Sequence, residues 1–385
     1  MSFSNYSSIG ELSHFFVGQG EMPSASALSQ RRQLLDPDIF KRINNLFVSA
    51  FDDHTTINGY HILAQDGSDV NIPFMDDKTK TEKHDAKSFC QYHVNALYDC
   101  LNKVFYDWSI DAASKKREVN ALISILKDRN YPQNSIFTAD RGYESYNLMA
   151  HFIENDIKFV IRVKDIHTKS GLMTNIKTEE GAFDIRVTRT LTSLQTKEIK
   201  ADKEKYIFVP STSNFDFLDE TRDLYDLSFR AVRFKISEDT YETVVTNLSE
   251  EEFKTEDFKE LYHYRWNEET AFNKLKYTIG LVYFHARKRK LIQQEINAAF
   301  LMYNVSEVII RNIDLKKDKK LKLEYDYKPN FSSAVTNIRL YLRKKINMKE
   351  LILRIKKFLV PQRPERSFER NIKGQACKPL NYRTS

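Results

Sequence analysis

Cysteine is scarce in this chain of 385 residues: Cys90, Cys100 and Cys377 are the only three, too few and too odd for a disulfide framework. That usage points to a reducing, cytoplasmic setting. No apolar run approaches the roughly 20 residues a membrane helix needs, and the opening Met-Ser-Phe-Ser-Asn lacks a secretory layout, so no membrane partner is expected. A phosphate-cradling glycine loop is missing, which argues against nucleotide hydrolysis. Internal repeats and low-complexity segments are absent as well. The 20 tyrosines do not make a tyrosine recombinase, because His263 and His285 have no arginine three residues later. His84, Cys90, His93 and Cys100 match no common zinc spacing; buried thiols and a packed histidine are expected instead.

What is present is a folding-competent chain with a lopsided charge. Its 41% hydrophobic and 12% aromatic content fits a globular protein of two or three domains. The net charge of +7 hides an asymmetry. Residues 286–385 carry 25 Lys/Arg against 9 Asp/Glu, a net of +16, and residues 1–285 carry 35 against 44, a net of −9. The basic quarter can neutralise phosphates, or it is a solvated tail with no partner.

Periodicity divides the chain. Asp36-Pro37 reads as an N-cap and first-turn proline, followed by Ile39, Phe40, Ile43, Leu46 and Phe47 at helical spacing. A short basic helix from Ser24 precedes it. Strands are expected at Tyr60–Gln65, ending in an Asp66-Gly67 turn, with Val70–Pro73 either continuing it or lying in the following turn, and at Ser88–Leu97 and Val104–Ile110. A helix over Ala113–Arg129, a strand Ser135–Ala139, a helix Tyr146–Glu154 and a strand Lys158–Val163 follow, in the order β-β-β-α-β-α-β. Residues 165–250 break that order with strands at Phe183–Thr190, Tyr206–Val209, Phe229–Ile236 and Tyr241–Asn247, and read as a separate β-rich insertion. Helices are expected again near Leu291–Ile310 and Ser332–Leu359.

The most informative stretch is the helical Leu261–Lys276. At about 100° per residue, Tyr262, Arg265, Glu269 and Lys276 fall on one narrow stripe beside an apolar stripe of Leu261, Phe272, Leu275 and Ile279. One carboxylate is thereby set between an aromatic hydroxyl and two cations, a means of holding a metal ion against a phosphate; a solvated ion-pair face is the plainer alternative.

The element order resembles the ribonuclease H-like fold: α/β, a mixed sheet flanked by helices, here interrupted by a β-rich insertion, with helical N- and C-terminal regions. That resemblance places acids on the first strand, just after the fourth, and on a late helix. Asp66 (with Asp69 as competitor), Asp140 and Glu269 occupy those places. Turn capping by Asp66 and helix capping by Asp140 are the bland readings. Paired divalent metals about 3.5–4 Å apart need hard oxygen ligands of this kind and no protein nucleophile.

Asp66-Gly-Ser, Ala139-Asp140-Arg-Gly-Tyr and Tyr262-x2-Arg265-x3-Glu269-x6-Lys276 resemble the motifs of bacterial insertion-sequence DDE transposases, the family-four type with the Tyr-Arg-Glu-Lys signature. The resemblance covers nearly the whole chain. It implies Asp66, Asp140 and Glu269 as catalytic, metal-binding acids for two Mg²⁺ ions (Mn²⁺ substituting), and Tyr262, Arg265 and Lys276 as contacts to DNA phosphates. It further implies a transposase that cuts insertion-sequence ends and joins them to target DNA, cut-and-paste, as a homodimer on double-stranded DNA near the bacterial nucleoid. A domesticated DNA-binding protein and a stand-alone nuclease of the same fold are the alternatives. The implied regions are 1–55, helical, with possible DNA contact; 56–164 and 251–312, the two parts of the core; 165–250, the insertion; and 313–385, basic. One departure concerns hairpin formation, for which relatives stack a flipped base on a tryptophan of the insertion. Trp108 and Trp266 lie elsewhere, leaving Tyr206, Phe208, Phe215 or Phe217 for that task.

Overall fold

The computed structural model describes residues 7–18, 20–51, 54–83, 86–113, 118–166, 168, 170–213, 215–219, 221–238, 240–315 and 325–362. His84, Cys377 and the basic residues from 363 onward fall outside that range. Three helices come first: α1 (Ser8–Phe16), α2 (Ala25–Leu34, capped by Ser24) and α3 (Ile39–Ser49). Asp36 sits outside α3, where it accepts the Asp38 amide.

Next come β1 (His61–Ile72), β2 (Lys80–Lys83), β3 (Ala86–Asp99), β4 (Val104–Ala112), α4 (Glu118–Asp128), β5 (Ser135–Ala139), α5 (Tyr146–Glu154) and β6 (Lys158–Val163). β1 pairs antiparallel with β3 and parallel with β5, β3 pairs antiparallel with β4, and β5 pairs parallel with β6. The resulting order β4-β3-β1-β5-β6 is ribonuclease H-like. Its central strands are nearly continuous apolar runs because helices cover both faces. Ile62, Ala64 and Ile136 join one core; Leu63, Phe137 and Ala139 join the other, with α4 and α5. Strict alternation therefore sends the even-numbered residues of β1 toward the first face.

The stretch expected to stand apart does not form a sheet of its own. β7 (Phe183–Thr192), α6 (Lys197–Ala201), β8 (Tyr206–Phe208), β9 (Leu224–Ser237) and β10 (Thr240–Thr246) continue the same sheet in the order β6-β10-β9-β7-β8. Two buried arginines of β9 fix this extension. Arg230 makes a bidentate pair with Asp184 at 2.7 and 2.6 Å and donates to the Phe253 carbonyl. Arg233 does the same with Asp165 at 2.8 and 2.9 Å and donates to the Gly181 carbonyl. Planar guanidinium forks suit such dense acceptor sets, and sequence periodicity carries no trace of these pairings.

The chain closes with α7 (Asp257–His263), α8 (Trp266–Asn273), a π-helical turn Lys274–Ile279, α9 (Arg289–Arg311), β11 (Asp326–Pro329), α10 (Phe331–Leu342), α11 (Met348–Lys357) and β12 (Leu359–Gln362). The amphipathic stretch Ser332–Leu359 is thus two helices, parted at Lys344, whose φ is 57°. Among the described residues no helix is long and apolar enough to cross a membrane. Cys90 and Cys100 are buried thiols.

The Arg233 fork, by hydrogen bonding its charged form, holds the Asp165 carboxyl down at about 2. A depressed value means stability that is present above the unfolded value of about 3.9 and lost as pH falls through about 2. Asp165→Asn is expected to flatten that acid limb in urea titrations stepped from about pH 4 to pH 2. An unchanged limb would exclude this pair as its source.

Candidate active site

The parallel pairing of β1 with β5 ends at Gln65 and Ala139, and the next residue on each strand is an aspartate. Asp66, within β1, and Asp140, just past the end of β5, are brought side by side for that reason. Each commits one oxygen locally. Asp66 Oδ1 accepts the Gly67 amide at 2.8 Å, and Asp140 Oδ1 accepts the Gly142 amide at 2.7 Å, capping the 3₁₀ turn Arg141–Tyr143. The second oxygen of each has no hydrogen bond among the described residues, so capping and ligand binding are compatible.

Asp66-Gly67 is not a turn, contrary to expectation: β1 runs through it to Ile72, held along its length by β3. Glycine is needed there for another reason. A Cβ at position 67 would meet the ring of His93, including Cε1 at 2.7 Å, and Glu118 Oε1 at 2.9 Å. His93, opposite Asp69 on β3, is fully buried; its Nδ1 lies 2.6 Å from Asp69 Oδ1 and its Nε2 3.1 Å from Glu118 Oε1. Asp69, the competitor for the first-strand acid, is thus engaged with a histidine.

The late helix is interrupted as well as amphipathic. Leu261, Phe272, Leu275 and Ile279 are buried, as their spacing predicts. The polar stripe, however, points inward, because α8 packs on β1. Arg265 is 5% exposed, pairs with Glu269 at 3.2 Å, and sits between the rings of Tyr262 and Trp266 at 5.6 and 5.4 Å. Tyr262 is buried too, and its hydroxyl has no hydrogen bond of good geometry. Both side chains, expected to contact DNA phosphates, are buried: α7, which carries Tyr262, packs on β9, and α8, which Arg265 leads into, packs on β1. Lys276, on the π turn, donates to the Asp69 carbonyl at 2.9 Å and so reaches the same strand.

Beside Glu269 lies an acid that sequence reasoning passed over. Glu268 is fully buried, and neither carboxylate oxygen has a hydrogen bond of good geometry. Burial, with Asp66 and Glu269 adding to it, pushes its carboxyl well up; Arg265 and the Asp66 amide favour the charged form. Asp66 itself is pushed up to about 6, first by burial and further by Asp140 and Glu118, against the Gly67 amide and Arg265. Arg265 remains a cation: burial opposes its charge, and Tyr262, Glu269, Asp66 and Glu268 more than offset that. Asp66, Asp140, Glu118, Glu268 and Glu269 therefore share one electrostatic neighbourhood. Among the described residues no three acids, histidines or cysteines stand close enough to chelate a metal as they are. The donor set nonetheless fits a hard divalent cation, being all carboxylate oxygen, partly orphaned and under-neutralised.

Sequence reasoning missed Glu118 and Glu268, and read His93 only as a packed histidine. A second glutamate adjoining Glu269 was the one visible hint. The aromatics of the extension also separate. Phe215 and Phe217 pack with Tyr225, whereas Phe208 is about half exposed on a cleft of about 520 Å³ that Arg141, Gly142 and Lys164 also line.

Residues 57–305 match the family model described as the transposase DDE domain. Among solved structures, the cryo-EM structure of a piggyBac transposase synaptic complex with hairpin DNA is similar at 12% identity and a TM-score of 0.42, over 90% of this chain and 67% of that one. No curated protein matches the sequence.

Gly67→Ala is expected to cost about 1–3 kcal/mol by overpacking against the pinned His93 ring. Chemical unfolding of the two proteins side by side checks this; equal stability would mean that the ring yields.

Proposed function

The chain belongs to the transposase DDE-domain family, and we propose on that premise that it cuts the ends of an insertion sequence and joins them to target DNA. Members of this family generally work with divalent metal ions. The carrying observation is that Asp66 and Asp140 stand side by side where the parallel pairing of β1 with β5 ends, with the acidic helix α8 packed on β1. Asp66, Asp140 and Glu269 are the acids we assign to two Mg²⁺ ions, which when bound would activate a water or 3′-hydroxyl and stabilise the leaving oxygen.

The chain's own groups prepare that site. Gly67 and Gly142 amides orient the two aspartates, each with an oxygen to spare. Arg265 pairs with Glu269, lies in the field of Asp66 and Glu268, and sits against the Tyr262 and Trp266 rings. Lys276, tethered to β1, is the group we assign to a DNA phosphate near the cut. Tyr262, on α7, and Arg265 are the further phosphate contacts we propose, reached only if their burial is relieved. Holding two DNA ends together calls for a homodimer, and the basic C-terminal quarter supplies charge for duplex phosphates.

Glu269→Ala is expected to abolish cleavage of a linear end substrate with Mg²⁺ while leaving the DNA mobility shift intact. Cleavage by that variant would refute the acid assignment. With the wild-type chain, joined product indicates a transposase, cutting alone a nuclease, and a shift without cutting a binding protein.

If ends are hairpinned, Phe208 is the aromatic we assign to the flipped base. Phe208→Ala is then expected to weaken stacking by about 1–3 kcal/mol, read from 2-aminopurine fluorescence at the end of the substrate. Unchanged fluorescence would remove Phe208 from that role.

A further inference from the structure

Glu118 opens α4, on the side of β1 away from the acidic helix α8, and no motif announces it. Its two oxygens are spoken for in opposite directions. Oε1 lies 3.1 Å from His93 Nε2, and His93 in turn is anchored through Nδ1 to Asp69 Oδ1 at 2.6 Å. Oε2 is turned toward the Asp140 loop: it lies 3.7 Å from the point a Gly142 Cβ would occupy, and Asp140 Oδ1 lies 2.9 Å from that same point. Two glycines, Gly67 and Gly142, therefore make room for one glutamate that bridges the strands bearing both aspartates.

A surface ion pair would not need a fully buried histidine between two carboxylates. An imidazole so placed fixes the direction of its partner, as outer-shell residues do around metal ligands. A second observation points to a missing occupant. Glu268, fully buried and coupled to Asp66 from the opposite face, has both oxygens without a hydrogen bond of good geometry. Buried carboxylate oxygens are costly unless a donor or cation meets them. Asp66 lies in the field of both, with Glu268 on one side of β1 and Glu118 on the other.

We propose that Glu118 is a fourth carboxylate for the divalent cation of this site, aimed by the His93–Asp69 pair; the inference rests on the metal-binding reading given above. In this role the Asp69–His93–Glu118 chain acts as a strut. It sets the spacing between the β1 aspartate and the β5 aspartate before any cation arrives.

The test is Mn²⁺ binding to the full chain without DNA, followed by electron paramagnetic resonance, with thermal melting in the absence of metal alongside. Glu118→Gln, which keeps shape and removes charge, is expected to weaken Mn²⁺ binding at least about tenfold with little change in metal-free melting. Glu118→Asp, which keeps charge but withdraws it by one methylene, is expected to lose part of that affinity and serves if the first variant fails to fold. Asp66→Asn is the reference. Wild-type Mn²⁺ affinity in Glu118→Gln, with affinity lost in Asp66→Asn, would overturn the role of Glu118 alone. Wild-type affinity in Asp66→Asn as well would overturn the metal-site reading itself. A fall in melting temperature with unchanged Mn²⁺ affinity would make Glu118 a purely structural partner of His93, and would also overturn the proposal.

Discussion

Carboxylates do not gather in a protein interior unless something holds their charge, and here that burden falls on Arg265. It is buried between two aromatic rings, paired with Glu269, and in the field of Asp66 and Glu268. A guanidinium is suited to this because it stays charged when desolvated and can face several acceptors at once. One cation against so many acids leaves the cluster under-neutralised, which is visible in the upward displacement of Asp66 and Glu268. Divalent cations at the proposed site would relieve that imbalance.

Around that constraint the fold supplies position. Parallel pairing ends on the same level for β1 and β5, so two aspartates far apart in sequence become neighbours. Strand alternation turns Asp66 to the face where α8 packs, and the π turn after α8 brings Lys276 back onto β1. His93 and Glu118 approach from the other side through the gap left by Gly67. Beyond β6 the sheet is extended rather than duplicated. Arg230 and Arg233, each with a bidentate carboxylate, tie β9 to β7 and to the loop after β6. Breaking one partner of such a buried pair strands the other, so both pairs hold the extension to the sheet.

Much of this was legible beforehand. Ser135–Ala139, Tyr146–Glu154 and Lys158–Val163 keep the limits their patterns give, because short, wholly apolar strands and a capped helix carry strong local signals. Strand limits failed where cross-strand pairing overrides local chemistry: Asp-Gly reads as a turn, yet β3 holds β1 extended through it. β2 was not seen at all, being four polar residues stabilised only by β3. The helix stripe was read correctly in its apolar half. Its polar half was read either as a metal-and-phosphate face or as a solvated ion-pair face, since spacing alone cannot say that Tyr262 and Arg265 are buried.

Sequence by itself determined local matters: the Ser135–Ala139 strand that leads into Asp140 and the apolar stripe of the helix that carries Glu269 depend on residues near one another in the chain. Tertiary structure decided which groups surround them and in what electrical state. Burial of Arg265, the orphaned Glu268, the His93–Glu118 strut and the sheet extension arise from contacts between residues tens to hundreds of positions apart. Such contacts follow from how strands pair and helices cover them, and local periodicity holds no record of that.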